Sequence, residues 1–149
     1  KYLQPKQIIK DKINIFFDKI NYKILGLHVR SRDGGFIEYY NDHKHRLINY
    51  IDNFIKDYAT WKIYLATDTK QIEDILVTKY PDIIIKLEDP FGSDYSSKFK
   101  TDYDGLMNSI YEMYVLSKCD KITGSATSTF SLMSYLLSNN NELEFWNEQ

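Results

Sequence analysis

The chain has 149 residues, of which 43% are hydrophobic and 15% aromatic, enough apolar material for one ordinary core. We therefore expect a single domain over residues 1–149. Lysine and arginine number 19 against 21 acidic residues, a net charge of -2, so the charge balance indicates no nucleic-acid partner. A single cysteine, Cys119, excludes a disulfide framework and a cysteine-rich zinc site, and we expect it to be a core side chain.

The longest apolar stretches are of strand length, and the first residues lack the continuous apolar run of a signal peptide. As written, the sequence predicts a soluble chain with no membrane segment. It assigns the chain to no cellular compartment.

Apolar residues recur at helical and at strand spacing in alternating blocks along the chain. Pro5 suits the first turn of a helix, and residues 23–29 are mostly aliphatic, which is typical of a strand covered on both faces. Residues 88–104 are rich in Ser, Asp and Tyr and predict a long surface loop. The pattern predicts helices over residues 5–20, 47–58, 72–80, 106–116 and 128–137, and strands over residues 23–29, 61–66, 83–85 and 121–123, with residues 143–146 as a further edge strand.

Strands that alternate with helices predict right-handed crossovers and a parallel sheet with helices on both faces. We therefore expect an α/β fold, a three-layer α/β/α Rossmann-like domain with a sheet of about four strands in the order 3-2-1-4. Such sheets bind ligands beyond the carboxyl ends of their strands, near the point where the strand order reverses. This rule predicts a site formed by residues 28–33, Asp68 and residues 124–131.

Two arginines, Arg30 and Arg32, follow the first strand beside Gly34 and Gly35. Because a guanidinium group can bind two phosphate oxygens at once, both are candidate phosphate ligands, with solvation of a loop as the alternative. His28 lies on the same side of the strand as Arg30. It either hydrogen-bonds a ligand or the arginine, or is an ordinary core histidine.

Polar residues also follow the second and fourth strands. Asp68 either binds a ligand hydroxyl, braces an arginine or caps the next helix, a role that Thr67 could also fill. The fourth strand leads into a hydroxyl-rich turn at a helix N-terminus, an environment that favours anions, although many such turns are only caps. Since Arg30 should approach this turn across the crevice between strands one and four, a pyrophosphate would fit there. Its candidate ligands are Ser125, Thr127, Ser128 and Thr129.

Glu112 lies in a helix that is otherwise apolar around it, where a carboxylate needs a partner. A nucleotide base edge and a surface salt bridge are the two alternatives. Other chemistries lack their motifs, because no Gly-x-Gly-x-x-Gly follows the first strand and no Gly-Lys-Ser phosphate loop occurs. His43 and His45 lack ligand-spaced companions, so we predict no metal site.

Three blocks of the sequence resemble the GDP-fucose-dependent fucosyltransferases of GT-B fold, including the α-1,6, nodulation-type and O-fucosyltransferase branches. Residues 24–30, Ile-Leu-Gly-Leu-His-Val-Arg, are similar to the first motif of that group. Residues 63–68, which end in Ala-Thr-Asp, resemble its second block, and residues 116–120 with the following turn resemble its third. Many relatives have two adjacent arginines in the first motif, whereas here Ser31 separates Arg30 from Arg32.

The resemblance implies a role for several residues. Arg30 corresponds to the arginine that contacts the β-phosphate of the sugar donor, and Glu112 to an acidic residue that recognises guanine. Thr127, Ser128 and the neighbouring amides correspond to the group that holds the diphosphate. The implied reaction is transfer of fucose from GDP-fucose with inversion and without a metal.

The resemblance also implies that this chain is the C-terminal, donor-binding half of a two-domain enzyme. An N-terminal partner domain and a glycan or protein acceptor would then be required, and we expect the chain alone to bind the sugar donor without transferring it. Two other readings stay open. The chain is either a non-catalytic module that binds nucleotide sugars, or an α/β interaction domain in which Arg30 forms a structural salt bridge.

Overall fold

The computed structural model describes residues 4–30, 36–126, 128–139 and 143–147, which form an alternating series of helices and strands. None of the helices in these ranges combines the length and the apolar composition needed to cross a bilayer. The helices are α1 (Gln7–Asp18), α2 (Phe36–Asp57), α3 (Lys70–Lys79), α4 (Tyr103–Ser117) and α5 (Thr129–Leu136), with a 3-10 helix at Tyr95–Phe99. The strands are β1 (Ile24–Val29), β2 (Lys62–Thr67), β3 (Ile84–Ile85), β4 (Lys121–Gly124) and β5 (Glu144–Phe145).

The five strands form one parallel sheet in the order β3-β2-β1-β4-β5. This confirms the predicted α/β class and the predicted order 3-2-1-4, to which β5 adds the expected edge strand. The chain turns from one half of the sheet to the other between β1 and β4. Their carboxyl ends therefore lie on either side of the crevice in which such sheets bind ligands.

Two apolar clusters, one on each face of the sheet, confirm the three layers. The first joins α2 and α3 to the odd-numbered side chains of β1, and Leu47 and Ile51 are fully buried in it. The second joins α1 and α4 to the opposite face. Cys119 belongs to this second cluster as the predicted core side chain.

The segment at residues 88–104 differs from its prediction as a surface loop. A 3-10 helix forms within it, and its Lys98 is only 5% exposed. The next helix, α4, begins at Tyr103, where the side chain of Asp102 accepts a hydrogen bond from Gly105 N at 3.0 Å. Most of the segment is exposed as predicted, but the burial of Lys98 was not predicted, because a buried lysine leaves no periodic signal in a polar sequence.

Helix α2 is longer than the stretch predicted at residues 47–58, since it begins at Phe36. The additional residues are 36–46, of which 41–46 are all polar, and a polar stretch carries no apolar spacing by which a helix can be detected.

Candidate functional site

The end of β1 is hydrogen-bonded to the turn between β4 and α5. The backbone N–H of Arg30 donates to Ser125 Oγ at 3.0 Å, and Ser125 Oγ in turn donates to the carbonyl of His28 at 3.4 Å. The Arg30 residue is exposed, whereas Ser125 is buried. These bonds hold the backbone at the end of β1 against the turn that leads from β4 into α5.

His28 is a buried side chain that joins β1 to α5. Its Nδ1 lies 2.7 Å from Ser131 Oγ, and its ring packs on Phe130 at 4.7 Å between centroids. Burial, followed by the nearby charge of Arg30, lowers the pKa of His28 to about 3. The imidazole is therefore neutral at physiological pH, and only 4% of the residue is exposed. In this structure it contacts the helix that follows β4.

The turn from β4 into α5 presents backbone amides and hydroxyls at a helix N-terminus. Ser128 is the N-cap residue of α5, and its N–H donates to Ser125 O at 3.2 Å. Its buried hydroxyl has no hydrogen-bond partner within the described residues. Thr129, the first residue of the helix, is exposed. The positive end of the α5 dipole thus follows directly on the turn to which the backbone of Arg30 is bonded.

The C-terminal segment is hydrogen-bonded to this turn. The sequence did not predict that contact. Trp146 Nε1 donates to the carbonyl of His28 at 3.1 Å, and Asn147 Oδ1 accepts from Ala126 N at 2.7 Å. Arg46 on α2 donates to Asn147 O at 2.8 Å. A tryptophan in a polar tail was the signal that could have indicated burial, and Trp146 is 2% exposed.

Asp68 follows β2 at the same edge of the sheet and is exposed. Its predicted role as a helix cap was wrong, as was that of Thr67. Strand β2 continues to Thr67, so the N-cap of α3 is Thr69, which has an extended backbone and no side-chain capping bond. The charge of Asp68 contributes to a raised pKa at Glu112, so the two carboxylates lie near each other.

Glu112 is buried, so its alternative as a surface salt bridge was wrong. Lys98 Nζ lies 2.9 Å from Glu112 Oε1 and 2.6 Å from Glu73 Oε2. Burial raises the pKa of Glu112 to about 7 against the opposing effect of Lys98, and the charges of Glu73 and Asp68 raise it further. Neither Lys98 nor Glu73 was singled out from the sequence. Glu73 lies beside Ile72 on the buried side of α3, and this position in the helix could have indicated that its carboxylate is buried.

Two predicted site residues, Arg32 and Thr127, lie outside the described residues. Over the ranges that the structure covers, His, Cys, Asp and Glu side chains form no group of three arranged to hold a metal ion. Of the remaining predicted residues, His28 lies near the end of β1, Glu112 lies on α4, and the others follow β1, β2 and β4 at one edge of the sheet.

The sequence matches the family described as Nodulation protein Z (NodZ) over residues 1–146. The chain belongs to the NodZ family. A comparison with curated proteins finds no match. The NodZ family pattern extends through the tail that carries Trp146.

Solved structures of fucosyltransferases share the fold of this NodZ-family chain. Fucosyltransferase NodZ from Bradyrhizobium is 20% identical, with a TM-score of 0.61 over 89% of this chain and 42% of its own. The NodZ α-1,6-fucosyltransferase soaked with GDP-fucose is also 20% identical, with a TM-score of 0.63 over 91% of this chain and 43% of its own. POFUT1 in complex with GDP is 12% identical, with a TM-score of 0.65 over 97% of this chain and 47% of its own. The chain thus spans less than half the length of these relatives.

Proposed function

We propose that the chain is the donor-binding half of a GDP-fucose-dependent fucosyltransferase. The observation that carries the proposal is the junction between β1 and the β4–α5 turn, where Arg30 N bonds to Ser125 Oγ. It joins the backbone of an arginine to the turn that leads into a helix N-terminus, and a guanidinium group and a helix N-terminus are both groups that bind phosphate. The GDP-fucose and GDP complexes of the related structures support this choice of ligand.

Under this proposal the residues around the junction hold the diphosphate. Arg30 neutralises the β-phosphate, and the hydroxyls and amides of Ser125, Thr127, Ser128 and Thr129 donate hydrogen bonds to its oxygens. When the bond to fucose breaks, negative charge develops on the β-phosphate, which these fixed groups stabilise. No metal ion is then needed to neutralise the leaving group. Arg32 supplies a second cation, and Asp68 accepts from a hydroxyl of the bound donor.

The proposed reader of the base is Glu112. A carboxylate accepts from the N1–H and the amino group of guanine, whereas adenine presents an unprotonated N1 in the same place. Lys98 contacts Oε1 of Glu112, which leaves Oε2 as the oxygen that a base would meet. His28 does not titrate near neutral pH, so its contribution is to hold β1 against α5.

The acceptor and the partner domain are further parts of the proposal. Because the chain spans less than half of its fucosyltransferase relatives, we infer that an N-terminal domain contributes the acceptor site, for a glycan or a protein. The same observation favours a second candidate, a module that binds the nucleotide sugar without transfer. Both candidates predict that this chain binds GDP. Only the fucosyltransferase candidate predicts that the parent protein transfers the sugar.

Nucleotide binding by the purified chain tests the proposal. GDP at about 100 times its Kd should stabilise the folded state by about 2.7 kcal/mol, which raises Tm by roughly 5–10 °C. Arg30→Ala should weaken GDP binding roughly tenfold to a hundredfold, because a charged hydrogen bond to the phosphate is lost. Calorimetric titration measures the affinity. Absence of any GDP effect at millimolar concentration would contradict the proposed function.

The matched control is Lys118→Ala, which removes one positive charge from an exposed position after α4, at the opposite edge of the sheet. This variant should bind GDP as the unaltered chain does. Equal losses in both variants would mean that Arg30 acts only through the net charge.

A further inference from the structure

Three buried charged side chains form a cluster beside the proposed nucleotide site. We name Lys98, Glu73 and Glu112 the Lys98 cluster; they come from the 3-10 helix, α3 and α4 respectively. Lys98 Nζ lies 2.6 Å from Glu73 Oε2 and 2.9 Å from Glu112 Oε1, and its side chain has no exposed surface. Tyr95 OH donates to Glu73 Oε2 at 2.9 Å. The ammonium group is therefore held from both sides by carboxylates.

The cluster lies toward the carboxyl end of the sheet. Leu116 of α4 packs against Gly26 in the middle of β1, where an added Cβ would lie 2.9 Å from Leu116 Cδ2. Because α4 runs back between two parallel strands, Glu112, one turn earlier, lies nearer the carboxyl ends. The contribution of the Asp68 charge to the pKa of Glu112 agrees with this position. The crevice and the cluster are thus neighbours.

Stability does not explain three buried charges. Removing charges from water costs free energy that their attraction often only balances, and apolar residues would fill the same volume at least as well. Burial acts to lower the pKa of Lys98, but the carboxylates, Glu112 first, outweigh burial and hold that pKa above its usual value. Lys98 therefore remains a cation, and the carboxylates of Glu73 and Glu112 define its position. Lys98 in turn orients both carboxylates.

We propose that Lys98 is a positioning residue that orients the Glu112 carboxylate and thereby sets the preference for guanine over adenine. The inference rests on the proposed function, since it assigns the base-recognition step of that same site. Lys98 contacts Oε1, so the carboxylate cannot rotate without breaking an ion pair inside the protein. Under this proposal Oε2 keeps one direction and is the oxygen that meets the donors of guanine.

Orientation matters because guanine presents a hydrogen-bond donor at N1, whereas adenine presents an acceptor there. A fixed carboxylate oxygen gains hydrogen bonds from guanine and opposes the lone pair at N1 of adenine. A carboxylate that is free to rotate forms weaker hydrogen bonds with guanine, and it can also turn away from the lone pair of adenine N1. We call the ion pair between Lys98 and Glu112 the clamp. Its removal should reduce the preference for guanine over adenine more than it reduces nucleotide affinity in general.

The ratio of the Kd for ADP to the Kd for GDP measures this selectivity. In the double variant Lys98→Met/Glu73→Gln the clamp is lost, yet the formal charge of the cluster stays at -1, because one cation and one anion leave together. We expect the ratio to fall roughly tenfold, because GDP affinity falls and ADP affinity rises, with the folded structure unchanged. The matched control is Glu73→Gln alone, which keeps the pair between Lys98 and Glu112 and should keep the ratio of the unaltered chain.

The outcomes are distinct. An unchanged ratio in the double variant overturns the role of Lys98, as does an equal weakening of ADP and GDP, which indicates a structural effect only. An unaltered chain that binds no GDP overturns the proposed function, and this inference with it. If the double variant does not fold, Lys98→Gln/Glu73→Gln replaces it. That variant should lower the ratio at least threefold, and an unchanged ratio again overturns the role of Lys98.

Discussion

Two buried ionisable side chains, His28 and Glu112, respond to pH in opposite ways. Burial lowers the pKa of His28 to about 3, so its contribution to stability is present above the unfolded pKa of 6.5 and is lost as pH falls toward 3. Burial raises the pKa of Glu112 to about 7 from an ordinary 4.5. Its contribution is present below pH 4.5 and is lost as pH rises through 7.

Glu112→Gln should therefore change how stability depends on pH. Between pH 5 and pH 7.5 the ionisation of buried Glu112 should lower the unfolding free energy by on the order of 2 kcal/mol, while His28 raises it over the same range. The variant keeps only the His28 effect, so its unfolding free energy should rise relative to that of the unaltered chain by on the order of 2 kcal/mol. Urea unfolding at several pH values measures it, with Glu88→Gln as the control at an exposed ion pair. Parallel curves for the unaltered chain and Glu112→Gln would contradict the assignment.

At the scale of elements, the contact between β4 and α5 depends on Gly124. A Cβ at this position would lie 2.2 Å from Ser131 Oγ and 2.5 Å from Ser131 Cβ. Ser131 also lies against His28 Nδ1. The glycine thus allows α5 to approach the strand end closely enough for its N-terminus to reach the crevice.

Gly124→Ala should displace α5 and lose about 2–3 kcal/mol of unfolding free energy through overpacking. GDP affinity should fall with it, since the amides at the helix N-terminus move away from Arg30. Thermal unfolding and calorimetric titration measure the two effects. Gly26→Ala, where the added Cβ meets the flexible end of Leu116, should change stability without changing GDP affinity. A full-affinity Gly124→Ala variant would contradict this account.

The tail and the turn also form one unit, through the bond from Ala126 N to Asn147 Oδ1. Asn147→Ala removes the acceptor, so the turn should become less ordered before the nucleotide binds. We expect GDP affinity to fall roughly threefold to tenfold, with about 1 kcal/mol lost in stability. Asn139→Ala, at an exposed position beyond α5, is the control. Unchanged affinity in Asn147→Ala would mean that β5 alone holds the turn.

For the whole molecule, binding and transfer should separate. The three layers assemble a complete crevice on one edge of the sheet, but the related fucosyltransferases are more than twice as long. We expect the chain to bind GDP-fucose and to release GDP from it no faster than a protein-free solution. Chromatography of the nucleotides over several hours measures the release. Rapid GDP formation by the chain alone would contradict the assignment of the acceptor site to another domain.

Most of the fold and the outline of the site could be predicted from the sequence. The alternation of strands and helices determined the parallel sheet and its order, because hydrophobic periodicity is a local property and crossovers have one hand. The end of β1 was identified by Arg30, and the hydroxyl-rich turn by Ser125 and Ser128. These residues lie directly after their strands. Their position at the carboxyl edge of the sheet therefore followed once the strands had been predicted.

Only the tertiary structure decided what surrounds that edge. Lys98 pairs with Glu73 across 25 positions, and Trp146 bonds to His28 across 118, distances over which spacing in the sequence carries no signal. The burial of Lys98 in the loop at residues 88–104 was missed for the same reason. Whether a polar side chain is buried depends on which partner the fold brings to it, and only packing determines that partner.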